Sequence, residues 1–347
     1  MIKVTKHGVI LEKTDAGFEN EGVLNPAVQQ EGDTIHLFYR AVSKGNYSSI
    51  GYSKLKGPLA VEERFDVPLL FPQMEYESHG IEDPRITKIE DTYYMTYTAY
   101  DGVNAMGTLA LSKDLVHFEK YGIIVPQVTY DEFKHLVGFV TAINVKYERF
   151  NNRNNLLTIP DKQILVWDKN LIFFPRRIQG HLFFLHRIKP DIQIVGVKAL
   201  EELTKDFWEQ YLIHIRENIV ISSKYDHEAS YVGGGCPPIE TEAGWLIIYH
   251  GVHDTPKGFV YTACAALLDL DNPQTELSRL PYALFSPEYQ WELNGEVNNV
   301  CFPTGTALFE DTLYIYYGAA DERIACASVS LKALTAELVK NIQKHEK

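Results

Sequence analysis

A repeated strand pattern restricts the fold of this sequence more than any other feature. Five segments read as an apolar, aromatic strand that ends in a polar or small residue, and they recur about every 60 to 90 residues, as repeated sheets do. They lie at residues 37–40, 95–98, 184–187, 248–251 and 315–318. Such repetition indicates a chain built from copies of one small sheet.

A second strand rich in small residues follows most of these segments after a loop. These strands lie at residues 49–53, 109–112, 264–268 and 325–328, and hydrophobic strands that end near proline follow at 68–72 and 121–126. The 21 tyrosines and 17 phenylalanines also favour strands. We therefore predict an all-β fold, a five-bladed β-propeller of antiparallel sheets.

The whole chain, residues 1–347, is predicted to form a single catalytic propeller domain. An insertion at about residues 130–162 separates the second and third sheets. Helical signal is confined to residues 200–208 and to a short C-terminal helix at about 331–347. That helix could pack on its own sheets or on a neighbouring subunit of a homo-oligomer, and the sequence leaves both arrangements open.

Charge and cysteine usage exclude several classes of protein. A formal net charge of −13 without a run of like charges argues against nucleic acid as a partner, because nucleic-acid-binding proteins carry a basic stripe. The four cysteines lack CxxC spacing and are expected to be buried free thiols, and we expect no metal and no cofactor. No signal core or membrane-spanning stretch occurs, so we expect no membrane partner and a cytoplasmic location, or a periplasmic one if a signal peptide has been removed.

Residues 80–86, GIEDPRI, carry two adjacent carboxylates, a proline and an arginine directly before an aromatic strand. Side chains alternate along an extended segment, so Glu82 and Asp83 are expected to face opposite ways, one presented to a ligand and the other held. In isolation, a charged turn in which Arg85 pairs with a neighbouring acid would explain the segment. The repeat changes that interpretation, because polar residues at matching ends of five repeats would meet in one central pocket. They are Arg40, Asp83, Arg187, His250 and Asp321.

Six ordered motifs carry a resemblance to a known family. They are residues 80–86 (GIEDPRI), 173–178 (FFPRRI) with His186 and Arg187, 233–239 (GGGCPPI), 244–251 (GWLIIYHG), 266–270 (ALLDL) and 317–321 (YGAAD). Together they resemble glycoside hydrolase family 130, the β-mannoside phosphorylases and β-mannosidases, which are five-bladed β-propellers. The resemblance spans about residues 20–330.

The resemblance implies an enzyme that cleaves β-linked manno-oligosaccharides with inversion. Asp83 matches the family's catalytic acid, which protonates the glycosidic oxygen through the 3-hydroxyl of the mannosyl unit, and such a relay agrees with the reach of a general acid. The residues assigned to substrate binding are Asn25, Arg40, Glu82, Arg85, His250 and Asp321. Amide, guanidinium, imidazole and carboxylate groups around one ring satisfy hydroxyl groups that both donate and accept hydrogen bonds.

The nucleophile decides between phosphorolysis and hydrolysis. The resemblance implies that phosphorolytic members bind phosphate with two arginines, a lysine and a tyrosine, and those positions here are Lys169, Arg187, Tyr231 and Tyr261. Lysine in place of arginine and tyrosine in place of lysine would weaken phosphate binding without abolishing it, and Arg176 or Arg177 could compensate. We favour phosphorolysis, with inorganic phosphate as co-substrate and mannose 1-phosphate as product.

Two alternatives remain open. An inverting β-mannosidase would use water and a second carboxylate, about 6.5–9.5 Å from the first, as its base. Glu228 is the candidate for that base, although an exposed loop acid is a competing interpretation of this residue. A propeller that only binds mannosides is less favoured, because it has no use for an acid at the scissile oxygen. Tyr100, Tyr289 and Trp291 could stack on sugar rings, and core packing explains them as well.

Overall fold

Antiparallel sheets of four strands make up most of the protein. The computed structural model describes residues 2–138, 144–151 and 163–345, and only the backbone of residues 343–345. Strands account for 50% of the chain and helices for 16%, so the fold is mostly β, as predicted. Within the described residues, no helix combines the length and the apolar surface needed to cross a bilayer.

The first half of the chain forms two groups of four antiparallel strands. After a leading strand, β1 (Thr5–Leu11), the first group comprises β2 (Gly22–Glu31), β3 (Thr34–Ser43), β4 (Tyr47–Lys56) and β5 (Ala60–Arg64). The second group comprises β6 (Gly80–Ile89), β7 (Thr92–Tyr100), β8 (Ala105–Ser112) and β9 (Phe118–Ile123). A parallel bridge between Ser48 and Gly80 joins the two groups.

The second half adds three separate sheets. The third group comprises β10 (Lys169–Phe173), β11 (Leu182–Arg187), β12 (Ile192–Val197) and β13 (Ile219–Ile221). The fourth begins with a divided first strand, and its members are β14 (Tyr231–Gly234), β15 (Ile239–Thr241), β16 (Gly244–Thr255), β17 (Gly258–Leu268) and β18 (Glu276–Arg279). The fifth contains β19 (Cys301–Phe309), β20 (Thr312–Ala319) and β21 (Arg323–Ser330), and β1 pairs with β21 as its fourth strand. Strands from opposite ends of the chain therefore share one sheet.

The five repeated segments of the sequence all lie in strands. They fall in β3, β7, β11, β16 and β20, which are the second strands of the five groups. The strand predicted at residues 68–72 is wrong, because Leu70 makes only an isolated bridge to Ile50 and the fourth strand of that group is β5. Pro68 and Pro72 cannot donate to a strand ladder, which explains the difference.

Helices connect and cover the sheets. They are α1 (Tyr130–Val137), α2 (Val145–Asn151), α3 (Lys205–Ile213), α4 (Gln290–Leu293) and α5 (Leu331–His345). The C-terminal helix agrees with its prediction over the described residues. It packs on its own chain, because Leu334 and Leu338 are fully buried against the fourth and fifth sheets. Each buried leucine contributes about 1.5–3 kcal/mol to folding.

Two helix predictions need correction. The helix predicted at 200–208 begins later, at Lys205, because the side chain of Thr204 caps it by accepting a hydrogen bond from the Phe207 N–H. The confinement of helices to two places is also wrong, since α1 begins at a capping box formed by Thr129 and Glu132. The predicted insertion contains α1 and α2, and its residues 139–143 and 152–162 lie outside the described residues.

A buried acid recurs at matching places in four groups of strands. In each, a carboxylate accepts a hydrogen bond from a tyrosine of the second strand and pairs with a cation of the fourth strand. The sets are Glu19 with Tyr39 and Arg64, Glu77 with Tyr97 and Lys120, Glu228 with Tyr249 and Arg279, and Glu292 with Tyr317 and Lys6. The third group replaces this set with Asp168, His186 and Tyr211, joined by two hydrogen bonds of 2.7 Å. All four cysteines are buried and free, as predicted.

Candidate active site

The first strands of three groups carry the same bulge at the same place. In β2, β6 and β10 the pairing register shifts directly after Leu24, Glu82 and Lys169. The next residue has a positive φ in each case, 49° at Asn25, 50° at Asp83 and 58° at Asn170. Asparagine and aspartate tolerate this left-handed conformation better than most residues, and a bulge changes the direction of the side chains beside it.

The bulge in β6 turns both of its carboxylates toward Arg40. Arg40 Nη2 donates to Glu82 Oε1 at 2.9 Å, and Arg40 Nη1 lies 3.8 Å from Asp83 Oδ1. The prediction that Glu82 and Asp83 face opposite ways is therefore wrong, because side-chain alternation fails at a bulge. Lys169 Nζ lies 3.3 Å from the second oxygen of Glu82. Glu82 is thus committed to two cations.

Asp83 is held through both its side chain and its backbone. Asn25 Nδ2 donates to Asp83 Oδ1 at 2.7 Å, and Arg85 Nη1 donates to the Asp83 carbonyl at 3.0 Å. Burial alone would raise the pKa of Asp83, but the positive charges of Arg40, Lys169 and Arg85 outweigh it and hold that pKa below its ordinary value. At neutral pH Asp83 is therefore ionised.

Arg85 supports the bulge from behind. The residue is 1% exposed, and its Nε donates to the Gly235 carbonyl at 2.5 Å while Nη1 donates to the carbonyls of Asp83 and Pro84. Burial lowers the pKa of Arg85 to about 10, against the opposing charge of Asp83. Arg85 therefore positions Asp83, and its remaining nitrogen, Nη2, has no hydrogen-bond partner among the described residues, so its assignment to substrate binding stays a prediction.

A cavity of about 350 Å³ opens beside this cluster and is lined by Arg40 and Asp321. Asp321 also has a positive φ, 49°. Burial and the negative charge of Asp83 raise the pKa of Asp321 to about 7, although Arg40 opposes the shift. At neutral pH the Asp321 carboxyl is therefore present in both states, and it can donate or accept a hydrogen bond.

A second cluster contains Arg187, His250 and two tyrosines. Arg187 Nη1 donates to His250 Nε2 at 3.3 Å, and the hydroxyl groups of Tyr231 and Tyr261 lie 2.5 Å apart. Burial, and then the charge of Arg187, lowers the pKa of His250 far below 6.5, so the ring is neutral and Nε2 can accept. A Cβ at Gly233 would lie 2.4 Å from His250 Nε2, which explains why a glycine occupies this position.

The two clusters are close enough to interact. Burial and, more weakly, the charges of Asp321 and Asp83 raise the pKa of Tyr261, and Lys169 pairs in register with Arg187 across β10 and β11. Ten of the residues predicted from the sequence therefore lie in two facing clusters. They are Asn25, Arg40, Glu82, Asp83, Lys169, Arg187, Tyr231, His250, Tyr261 and Asp321.

Glu228 lies apart from both clusters and is fully buried, so neither the exposed loop acid nor a free catalytic base describes it. Its Oε1 accepts from the Tyr249 hydroxyl, and its Oε2 accepts from Arg279 Nη1 at 3.0 Å and from the Lys224 N–H at 2.9 Å. Glu228 belongs to the repeated buried acids of the fold. The assignment of Glu228 as a base is therefore corrected, because a base must reach a water molecule in the site.

One group of metal-ligand types occurs in the described residues. His227, Glu228 and Cys264 bring potential ligand atoms within 4.8 Å of one another. Both oxygens of Glu228 are already engaged, and burial raises the pKa of the Cys264 thiol, which disfavours the thiolate that binds metals. The group does not change the expectation that the reaction needs no metal.

The other predicted residues lie outside the two clusters or at their edge. Tyr289 and Trp291 stack on each other with ring centroids 4.4 Å apart, and Lys6 lies over the ring of Tyr289. Tyr100 contacts Trp167, whose ring also lies under Lys169 Nζ at 5.2 Å. Arg176 pairs with Glu240, and Arg177 pairs with Glu90. The suggestion that either arginine compensates at the phosphate site is therefore wrong.

The sequence analysis missed two residues of the site. Asn170 occupies the bulge position that Asn25 and Asp83 occupy in the other groups, and its Nδ2 donates to the Gly234 carbonyl at 3.3 Å. An Asx residue at the same place in three first strands was the available signal. Lys189 is the other residue, because its Nζ lies 4.0 Å from the centre of the Tyr231 ring.

Two clusters that combine carboxylates with guanidinium, imidazole and phenol groups on a mostly β fold suit an enzyme that binds sugars. The family model described as beta-1,4-mannooligosaccharide phosphorylase matches residues 11–340. The chain belongs to glycoside hydrolase family 130, a family of enzymes that act on β-mannosides.

Comparisons with individual proteins agree with this family. A 1,2-beta-oligomannan phosphorylase of Thermoanaerobacter sp. (strain X514) is 30% identical over 334 residues, which cover 93% of this chain and 95% of the relative. A beta-1,2-mannobiose phosphorylase of the same organism is 32% identical over 325 residues, with 90% and 91% covered. The solved beta-1,2-mannobiose phosphorylase from Listeria innocua, in complex with beta-1,2-mannobiose, has a TM-score of 0.73 at 22% identity over 98% of this chain and 100% of that chain. That likeness shows a shared fold.

Proposed function

We propose that this protein catalyses the inverting phosphorolysis of β-1,2-linked manno-oligosaccharides and releases mannose 1-phosphate. One observation favours phosphate over water as the nucleophile. Arg187 is 8% exposed, and its Nε has no hydrogen-bond partner among the described residues. The hydroxyls of Tyr231 and Tyr261 lie in the same cluster, and the bond between them uses only one of their two protons. The other hydroxyl proton and the Arg187 Nε–H are donors that suit an oxyanion. The relatives named as β-1,2-mannoside phosphorylases support the linkage.

The residues of the first cluster, together with His250 of the second, each have a role in binding or cleaving the sugar. Asp83 supplies the proton to the leaving oxygen, and Asn25 fixes the direction of its carboxyl group. Arg40, His250 and Asp321 bind hydroxyl groups of the mannosyl ring. A guanidinium donates, a neutral imidazole accepts or donates, and a carboxyl near its pKa does either, which suits a ring of hydroxyl groups.

Phosphate binding prepares Asp83 for its role. The neighbouring cations keep the pKa of Asp83 low, which favours the ionised form. A bound phosphate places negative charge near Lys169 and weakens the effect of this cation on Asp83. The pKa of Asp83 then rises, so that binding of the co-substrate favours the protonated acid that the reaction requires.

Hydrolysis is the second candidate function. One solved structure of similar fold is described by the statement that the family of mannoside phosphorylases contains glycoside hydrolases that target beta-1,2 mannosidic linkages. The burial and full hydrogen bonding of Glu228 argue against it, since an inverting hydrolase needs a base that reaches water. A protein that only binds mannosides is less favoured, because Asp83 and its bulge support a proton donor.

The five groups of strands support a five-bladed propeller that forms one catalytic domain. Every pair of successive groups, including the fifth and the first, shares a backbone contact. These contacts are Ser48 with Gly80, Met106 with Asp168, Pro190 with Val232, Tyr261 with Val300, and Glu322 with Val23. In such a ring the first strands converge on one axis, which explains why Asn25, Asp83 and Asn170 occupy equivalent bulges.

A product assay tests the proposed function. β-1,2-, β-1,3- and β-1,4-linked mannobioses are incubated with the enzyme, with and without inorganic phosphate. We expect mannose 1-phosphate from the β-1,2-linked substrate in the presence of phosphate. Release of free mannose at the same rate without phosphate would select hydrolysis. Binding without any product would select the non-catalytic alternative.

A further inference from the structure

The second cluster has fewer positive charges available for phosphate than the sequence implies. Lys169 was assigned to phosphate, but its ammonium lies 3.3 Å from Glu82 Oε2, so a carboxylate already neutralises much of its charge. Tyr231 stands where the resemblance implies a lysine. Of the four residues assigned to phosphate, Arg187 is therefore the one with a charge that no carboxylate of the described residues neutralises.

A second cationic side chain, Lys189, lies close to Arg187. Lys189 follows Arg187 by two residues and lies in the turn directly after β11. Ile188 lies between them, and it is fixed because its N–H donates to Gln193 Oε1 and its C=O accepts from Gln193 Nε2. The side chains of Arg187 and Lys189 both line one cavity of about 210 Å³, together with Trp167 and Phe259.

The ring of Tyr231 holds the two cations together. Lys189 Nζ lies 4.0 Å from the ring centre, and the guanidinium carbon of Arg187 lies 5.7 Å from it. The electron-rich face of an aromatic ring attracts cations, and this attraction offsets the repulsion between two like charges. The hydroxyl of the same ring lies 2.5 Å from that of Tyr261, at the edge of the cluster.

We infer that Lys189 is a phosphate-binding residue, which supplies from the turn after β11 the positive charge that is missing at position 231. Tyr231 then has two roles, as a platform for the ammonium group and as a hydroxyl donor to the anion. The inference rests on the proposed phosphorolysis and names a residue of its co-substrate site. A lysine donates as a point charge to any oxygen of phosphate, so the exact geometry of an arginine is not required.

Replacement of Lys189 tests the inference. Lys189→Met removes the charge and keeps the length of the side chain, and Lys189→Arg keeps the charge. Loss of one charge-assisted contact is expected to raise the KM for phosphate about tenfold or more in Lys189→Met, with the KM for the mannoside changed less than about twofold. Lys189→Arg should recover most of the phosphate affinity. Lys205→Met is the matched control, because the Lys205 side chain is 80% exposed and should leave both constants unchanged.

A second readout does not depend on turnover. Inorganic phosphate should raise the melting temperature of the wild-type protein relative to chloride of equal ionic strength, since a ligand that binds the folded state stabilises it. The increase should be smaller in Lys189→Met than in Lys205→Met. If Lys189→Met does not fold, Lys189→Gln takes its place in both experiments.

The outcomes separate this inference from the proposed function. A wild-type enzyme that cleaves mannosides without phosphate would overturn both. A phosphate-dependent wild-type enzyme with an unchanged phosphate KM in the folded neutral variants would overturn the role of Lys189 alone. An equal rise in the KM for phosphate and for mannoside would also overturn it, because that result indicates a general disturbance of the site.

Discussion

Asp83 illustrates how much of a site can depend on one backbone conformation. Its φ of 50° turns the carboxyl group toward Arg40 and Asn25, and the neighbouring bulge explains why two consecutive acids contact the same arginine. A residue in this conformation is retained only where the surroundings compensate for its cost. Here the guanidinium of Arg85 compensates by binding the carbonyls of the bulge.

Replacement of Asp83 by asparagine should remove turnover and preserve the fold. The amide keeps the shape and the hydrogen bond from Asn25 but cannot deliver a proton, and loss of a general acid costs about 10²- to 10⁴-fold in rate. The measurement is kcat with saturating phosphate, together with the melting temperature. Asp91→Asn is the matched control, because the Asp91 side chain is 87% exposed. Appreciable activity in Asp83→Asn would argue strongly against the assigned role.

The raised pKa of Asp321 should make the free energy of unfolding fall as pH rises, whereas a carboxyl group with a lowered pKa has the opposite effect. Its pKa rises from 3.8 in the unfolded chain to about 7 in the folded protein, so the folded state holds the extra proton between these values. Stability contributed by this group is therefore present at low pH and is lost as pH rises through about 4 to 7. Denaturant unfolding of wild type and Asp321→Asn over this range measures the effect as a difference. Parallel curves for the two proteins would contradict the raised pKa.

At the scale of single elements, successive side chains of each second strand point to opposite faces, one toward the buried acid of the fold and the next toward the other side. Tyr39, Tyr97, His186, Tyr249 and Tyr317 bind the buried acids, or in the third group Asp168. The residue after each of them points to the other face of the strand. Arg40, Arg187 and His250 are three of these following residues, and all three reach the site.

Glu228→Gln distinguishes a structural acid from a catalytic base. The amide removes one of the two carboxylates that pair with Arg279 and leaves Glu276 as the other, so we expect a loss of about 1.5–3 kcal/mol in the free energy of unfolding. The kcat of the folded enzyme should change little. Denaturant unfolding and steady-state kinetics on the same preparation provide the two values. A collapse of kcat with unchanged stability would restore the hydrolytic alternative.

Much of the architecture could be predicted from the sequence, because its signals are local. The second strands were found from their apolar, aromatic pattern, and residues 80–86 pointed to Asp83 directly. The capping box at Thr129 was also readable and was overlooked.

Other features depend on contacts between residues far apart in the chain. The direction of Glu82 and Asp83 follows from a bulge, which no alternation rule anticipates. The burial of Glu228 follows from Arg279, 51 residues away in the chain. The phosphate assignment of Lys169 missed its contact with Glu82 for the same reason, since the two residues lie 87 positions apart.

At the scale of the whole molecule, the shared last sheet links both ends of the chain. β1 pairs with β21, and Lys6 on β1 reaches Glu292 Oε2 at 2.8 Å with only 6% of its side chain exposed. The N-terminal strand therefore contributes a charge to the buried acid of the fifth group. In a closed ring, this contact would stabilise all five groups together.

Lys6→Met should accordingly destabilise the protein as one unit. Loss of the cation leaves Glu292 buried with fewer partners, which costs about 3 kcal/mol or more. Differential scanning calorimetry should show one cooperative transition in wild type, shifted to lower temperature and still single in the variant. Lys113→Met, on a side chain that is 65% exposed, is the control. A transition that splits in two would contradict a single closed domain.

In the proposed reaction Asp83 protonates a β-mannosidic bond while phosphate attacks from the second cluster. Time-resolved proton and phosphorus NMR of β-1,2-mannobiose with inorganic phosphate tests this claim most directly, because it identifies the first product and its anomeric configuration. We expect α-mannose 1-phosphate and mannose in equal amounts from the earliest time point, and no cleavage without phosphate. Free mannose as the sole initial product, or a β-configured phosphate, would contradict it.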